Sequence, residues 1–75
     1  VLVIPVRHLK DVTELAAEGG LLARMFETAN RIARERGIAE SGYRTVFNVG
    51  PDAGQTVFHA HLHLLGGRRL GWPPG

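Results

Sequence analysis

Seventy-five residues allow one small domain, and a chain of this length buries only about 60% of the surface it exposes when unfolded, so its core is small. A composition 44% hydrophobic and 21% charged excludes a disordered chain, and the lack of cysteine excludes disulfides and thiolate chemistry and fits a reducing, cytoplasmic setting. The net charge of +2, with arginines interleaved among acids, is too mild for a nucleic-acid surface and suits a small anionic ligand; no apolar run approaches the roughly 20 residues of a membrane span, so neither nucleic acid nor membrane is an expected partner.

Val1 to Val6 is β-branched and apolar and predicts a strand buried on both faces, with Pro5 marking its end or an edge. The chain opens inside this strand, without a Met or a turn signal, so a preceding N-terminal portion is expected. Leu9 to Ala17 places Leu9, Val12 and Leu15 at helix-like spacing and reads as a turn or short helix. Glu18 to Arg36 predicts the clearest helix. Its apolar positions Leu21, Leu22, Met25, Phe26, Ala29, Ile32 and Ala33 follow a 3.6-residue period, with most charges opposite. Glu27 and Arg31 stand in the favourable i,i+4 order. Glu18 at the start and Arg34 and Arg36 at the end suit the helix dipole, and Gly37 is the expected C′ residue. Gly42 to Val49 alternates as a strand, Gly50-Pro51-Asp52-Ala53-Gly54 is a turn cluster, and the next segment is expected to return as the second arm of an antiparallel hairpin. Gly66-Gly67 ends that arm. Trp72-Pro73-Pro74-Gly75 cannot be helical and favours an extended path.

The returning arm, Gln55 to Leu65, holds three of the four histidines. On a strand, Val57, His59, His61, His63 and Leu65 share one face and Thr56, Phe58, Ala60, Leu62 and Leu64 the other. The second set is an ordinary core face. The first lines up three imidazoles, each with two nitrogens that need partners if buried, so packing alone is a poor account of it.

Two chemical accounts compete. Histidine is the commonest zinc ligand, and His8 and Asp52 are further donors of the right type. Yet the Cα atoms of His59 and His63 should lie roughly 13 Å apart along a strand, so two rings reach one ion easily and three only under strain. In the other account a central imidazole attacks an electrophile while its neighbours orient it and move protons. The loop before the row then has a use. Gly50 and Gly54 let backbone N–H groups approach an anion, Gln55 and Thr56 carry donors, and Asn48 lies across the hairpin. An anionic electrophile attacked by histidine points to a phosphoryl centre.

His59-Ala60-His61-Leu62-His63-Leu64-Leu65 resembles the His-φ-His-φ-His-φ-φ signature of the histidine triad (HIT) superfamily. Leu2-Val3-Ile4-Pro5 with His8, Gly42-Tyr43-Arg44, Asn48-Val49-Gly50, Gly54-Gln55-Thr56-Val57 and Gly66-Gly67-Arg68 through Trp72-Pro73-Pro74-Gly75 resemble its nucleotide-binding, protein kinase C inhibitor-like branch. The resemblance implies an α+β fold, with helices packed on an antiparallel sheet of about five strands, and a homodimer. It implies that residues 1–75 are the C-terminal portion of a single HIT domain. The implied activity is hydrolysis of purine nucleoside 5′-phosphoramidates, and of aminoacyl adenylates as a further class, without a metal or other cofactor. His61 would be the nucleophile that forms a nucleotidyl-histidine, oriented by the carbonyl of His59. His59 and His63 would contact the phosphate, and Asn48 the ribose or phosphate. Gly54, Gln55, Thr56 and Val57 would cradle the phosphate, with Thr56 assisting the leaving amine, and Trp72 would lie near the partner protomer's pocket. Thr56 departs from the serine often found there. The family's N-terminal part, with another histidine just before Val1 and much of the base pocket, is not in this sequence. A nucleotide-binding scaffold with little catalysis and a zinc-binding regulator are the alternative functions.

Overall fold

The computed structural model describes residues 1–75. In chain order it has β1 (Leu2–Val3), α1 (Val12–Leu15), α2 (Gly19–Glu35), β2 (Tyr43–Val46), a 3-10 turn (Pro51–Ala53) and β3 (Leu62–Gly66). The three strands form one antiparallel sheet in the order β1-β3-β2, with β3 in the middle. Of the roughly five strands the family resemblance implies, this chain therefore carries three.

The long helix matches its predicted span to within a residue at each end. Its C-terminus closes as a Schellman motif: Ile38 N–H donates to Ala33 O at 3.0 Å and Gly37 N–H to Arg34 O at 3.1 Å. This requires Gly37 at φ +74°, where a side chain would be strained. The expected Glu27–Arg31 pair does not form. Arg31 turns towards Glu35 instead, at 3.6 Å between two exposed side chains, a contact that contributes little. The short helix α1 starts on Asp11, whose carboxylate accepts from Thr13 N–H at 2.9 Å and also from the Thr13 hydroxyl.

One face of the sheet packs under the helices. Val3, Ala60 and Leu62 join Leu9, Leu15, Met25 and Ala29 in the core, while Val12, Leu21, Leu22, Ile32 and Phe47 pack around it. Met25, Ala29 and Ala33 are the buried stripe of α2. Alanine at two of these three positions lets the helix axis lie close to the strands. Phe26, read as a core position, lies at the exposed margin of the helix with its ring 6.1 Å from that of Phe47.

The other face of the sheet is open, and here two expectations fail. Val1 to Val6 is not buried on both sides. Val3 points into the core, but Leu2 is 51% and Ile4 55% exposed, because this chain places nothing over them. Nor is Gln55 to Leu65 one continuous strand. Only residues 63–66 pair with β2, in the register Val46↔His63 to Tyr43↔Gly66. β2 and β3 are antiparallel neighbours, but the connection is the long segment from Phe47 to His61 rather than a tight hairpin. The upstream residues leave β2 because their hydrogen bonds go elsewhere, with Ala60 N–H donating to Leu9 O at 2.6 Å. Phe58, assigned to the core face, is consequently 53% exposed.

Candidate active site

The row His59, His61, His63 lies on the open face, each ring half-buried, alternating with the buried Ala60, Leu62 and Leu64. The predicted alternation thus holds over the histidines even where the backbone is not in a ladder. β3 carries His63 opposite Leu2 on β1 and Val46 on β2. The segment leading into β3 carries His59 and His61.

Each ring has a distinct setting. His61 Nδ1 lies 2.7 Å from the carbonyl of His59. A carbonyl only accepts, so Nδ1 carries the hydrogen and Nε2 of neutral His61 keeps its lone pair. His59 Nε2 lies 2.9 Å from Pro5 O, which fixes its hydrogen on Nε2 in the same way. His63 packs edge-on to His61, with ring centroids 4.9 Å apart and planes at 64°. Its Nε2 is buried with no hydrogen-bond partner. Burial, and secondarily the nearby His61, lowers the His63 pKa from its ordinary value, which favours the neutral ring.

His59 and His61 line a cleft of about 270 Å³ together with Leu2, Ile4 and Val57. The wall is mainly apolar, and the imidazoles supply its polar chemistry. Asn48 and Trp72 line a different, larger cleft of about 640 Å³ on the β2 side, with Arg44, Asp52 and Leu65 among its other walls. Arg44 ties the tail there: Nη2 donates to Gly71 O at 3.0 Å, and the guanidinium carbon lies 5.8 Å from the centre of the Trp72 ring. Trp72 itself is 81% exposed.

The loop before the row is built around Gln55, which is 5% exposed. Its Oε1 accepts from Gly50 N–H at 2.9 Å, and its Nε2 donates to Lys10 O at 2.9 Å and Val57 O at 3.2 Å. Its backbone N–H donates to Gly50 O at 3.1 Å. Every donor of Gln55 is therefore engaged, which corrects the expectation that its side chain offers a hydrogen bond to an anion. Gln55 shapes the loop. Gly54 adopts φ +86°, and Gly54, Thr56 and Val57 are exposed at the loop's end beside the histidine row.

No three of the His, Asp and Glu side chains stand close enough together to hold a metal ion. His8 and Asp52, the extra donors by type, diverge: His8 meets His59, and Asp52 lines the β2-side cleft. Leu2 and Ile4 are cleft walls beyond the residues expected from the sequence. The signal was present, since alternation along β1 places both on the face opposite Val3.

The HIT domain matches residues 1–70, which include every histidine described above. The chain belongs to the HIT domain family. It is 51% identical over 76 residues to a HIT-like protein of Synechococcus elongatus, aligning over all of this chain and 66% of that protein. It is 46% identical over 72 residues to the purine nucleoside phosphoramidase of Escherichia coli, covering 95% of this chain and 60% of the enzyme. The crystal structure of a HIT family hydrolase from Legionella pneumophila superposes with a TM-score of 0.93 at 45% identity, covering 99% of this chain and 67% of that one. The chain thus spans about two thirds, or less, of these HIT proteins' length.

Proposed function

We propose that this HIT chain carries the nucleophilic half of a hydrolase that cleaves purine nucleoside 5′-phosphoramidates, and aminoacyl adenylates as a further class, through a nucleotidyl-histidine. The observation that carries the reading is the 2.7 Å contact between His61 Nδ1 and the His59 carbonyl. It sets the tautomer that leaves a lone pair on Nε2 of a residue lining the cleft. The similarity to the Escherichia coli purine nucleoside phosphoramidase supports the substrate class.

His61 Nε2 attacks the phosphorus, the P–N bond breaks, and the amine leaves with a proton delivered from the site. Water then attacks the phosphorus of the nucleotidyl-histidine and gives up a proton to the site, replacing the one spent on the amine, releasing the nucleoside monophosphate and restoring neutral His61. His63 and His59 flank the phosphate, and Gly54, Thr56 and Val57 form its cradle, held in shape by Gln55. The Thr56 hydroxyl assists the leaving amine. Leu2, Ile4 and Val57 offer an apolar wall to the nucleoside. Asn48 meets the ribose or phosphate from the β2 side. In a homodimer, the exposed Trp72 tail reaches towards the partner protomer's pocket, and light scattering of the protein in solution tests that assembly.

The decisive experiment is rapid quenching with a nucleoside phosphoramidate, followed by mass mapping. The expected adduct is one nucleotidyl group on His61, absent in His61→Ala, with a burst of amine preceding steady turnover. Turnover that survives in His61→Ala, or an adduct on another residue, would overturn the assignment.

A further inference from the structure

His8 is the one histidine outside the row, and the mechanism above does not use it. Its Nδ1 lies 3.4 Å from His59 Nδ1, and the two rings meet edge to face with centroids 5.1 Å apart at 82°. The far nitrogen of His59 is committed as a donor to Pro5 O. His59 Nδ1 in the neutral ring is therefore an acceptor, and His8 can satisfy it only by carrying its hydrogen on Nδ1.

His8 is exposed, but the segment that bears it is held on both sides. Arg7 pairs with Glu18 at the start of α2. Leu9 is buried, and its carbonyl accepts from Ala60 N–H, the residue after His59. With Pro5 O on one nitrogen of His59 and His8 on the other, residues 5–9 wrap the His59 ring and grip the adjoining backbone. The carbonyl between them is the one that orients His61.

We propose that His8 is a positioning residue for the histidine row: its Nδ1–H donates to His59 Nδ1, holds that ring in place against Pro5 O, and so steadies the carbonyl that aims His61. The inference rests on the reading of His61 as nucleophile for its consequence in turnover, but not for its geometry. In order, the chain of donors runs His8 Nδ1–H to His59 Nδ1, His59 Nε2–H to Pro5 O, and His61 Nδ1–H to His59 O.

Long-range proton–nitrogen correlation spectra of the histidine-¹⁵N-labelled protein at mildly alkaline pH test this directly. The expected result is His59 in a single Nε2–H form and His8 in the Nδ1–H form, the minority tautomer of free imidazole side chains. His8 in the ordinary Nε2–H form, or averaging between the two, overturns the proposal without bearing on the phosphoramidase reading. The variant series supplies the functional arm. His8→Phe should shift the His59 Nδ1 resonance to that of an acceptor without a partner, the hydrogen staying on Nε2, and lower kcat about two- to ten-fold with KM little changed, the scale of one net hydrogen bond. His8→Asn, which keeps a donor near the Nδ1 position, should restore both. An unaltered His59 spectrum in His8→Phe overturns the proposal. If that variant does not fold, the wild-type tautomer of His8 alone decides.

Discussion

His61 and Leu62 are consecutive in the chain and lie on opposite faces of the same sheet. Leu62 is wholly buried among the core side chains, whereas His61 is half-open and lines the apolar cleft. The same contrast repeats at His59–Ala60 and His63–Leu64. A period of two residues thus divides the chain: the residues that hold the sheet to α2 are not those that line the cleft. Activity and stability should therefore separate between neighbouring residues here.

The largest expected effect tests the open face. His61→Ala should lower phosphoramidate turnover by at least about 10³-fold, as loss of a nucleophile does, while leaving the unfolding midpoint near that of the unmodified protein. A His61→Ala protein that melts far earlier would make His61 a structural residue and erase the division. Leu62→Ala tests the other face. It removes a side chain with no exposed surface from a core of seven buried residues, so destabilisation of about 2–5 kcal/mol is expected in urea unfolding. Turnover per folded molecule should stay close to normal. A large drop in kcat at a denaturant-free, fully folded baseline would show that the faces are coupled.

The two faces were not equally legible in the sequence. The covered one was: the 3.6-residue period of α2, its Gly37 stop and the buried Ala60-Leu62-Leu64 row follow from apolar spacing, because burial is what that spacing reports. The chemical order of the histidines also showed in their alternation. What alternation does not report is where backbone hydrogen bonds go. Residues 55–61 keep a strand-like order of side chains, yet Ala60 bonds to Leu9 and the Gln55 amide to Lys10 and Val57, so no ladder with β2 forms there. Exposure of Leu2 and Ile4 was equally unreadable, since apolarity states that a residue gains by cover but not what supplies it. Arg31 chose Glu35 over Glu27 because exposed pairs differ by too little for spacing to decide between them.

Gln55 joins the two sides, and its loss should cost less than that of Leu62. Its amide satisfies Gly50 N–H, Lys10 O and Val57 O from a buried position. Gln55→Ala leaves these backbone groups without their partner, an expected cost of about 1–3 kcal/mol. With the loop as the proposed phosphate cradle, KM for the nucleotide substrate should rise as well. Hydrogen exchange would locate the damage: faster exchange confined to residues 50–57 agrees with a loop-shaping role, and protection unchanged there would argue that Gln55 acts elsewhere.

The smallest effect separates the faces by pH. His63, on the open side, has its pKa lowered by burial, with the neighbouring His61 adding to the shift. The folded protein therefore disfavours the protonated ring. An unfolded chain takes up that proton near the ordinary value of 6.5, so stability is complete above it and declines as pH falls from there to the lower folded value. Asp11, on the core side, has its pKa lowered chiefly by the Thr13 hydroxyl, from an ordinary value of 3.8. Its contribution is complete above 3.8 and is lost only as pH falls below that value towards the folded one. Acid should thus weaken the protein in two steps, the first drawn from the histidine face and the second from the cap of α1. His63→Gln should remove the first step and keep the second, and Asp11→Asn the reverse. Urea unfolding between neutral pH and the acid limit of solubility reads both. A single shared step that both substitutions shift would mean that the half-buried His63 ring and the Asp11 cap unfold as one unit, and that the division between the faces holds for chemistry alone.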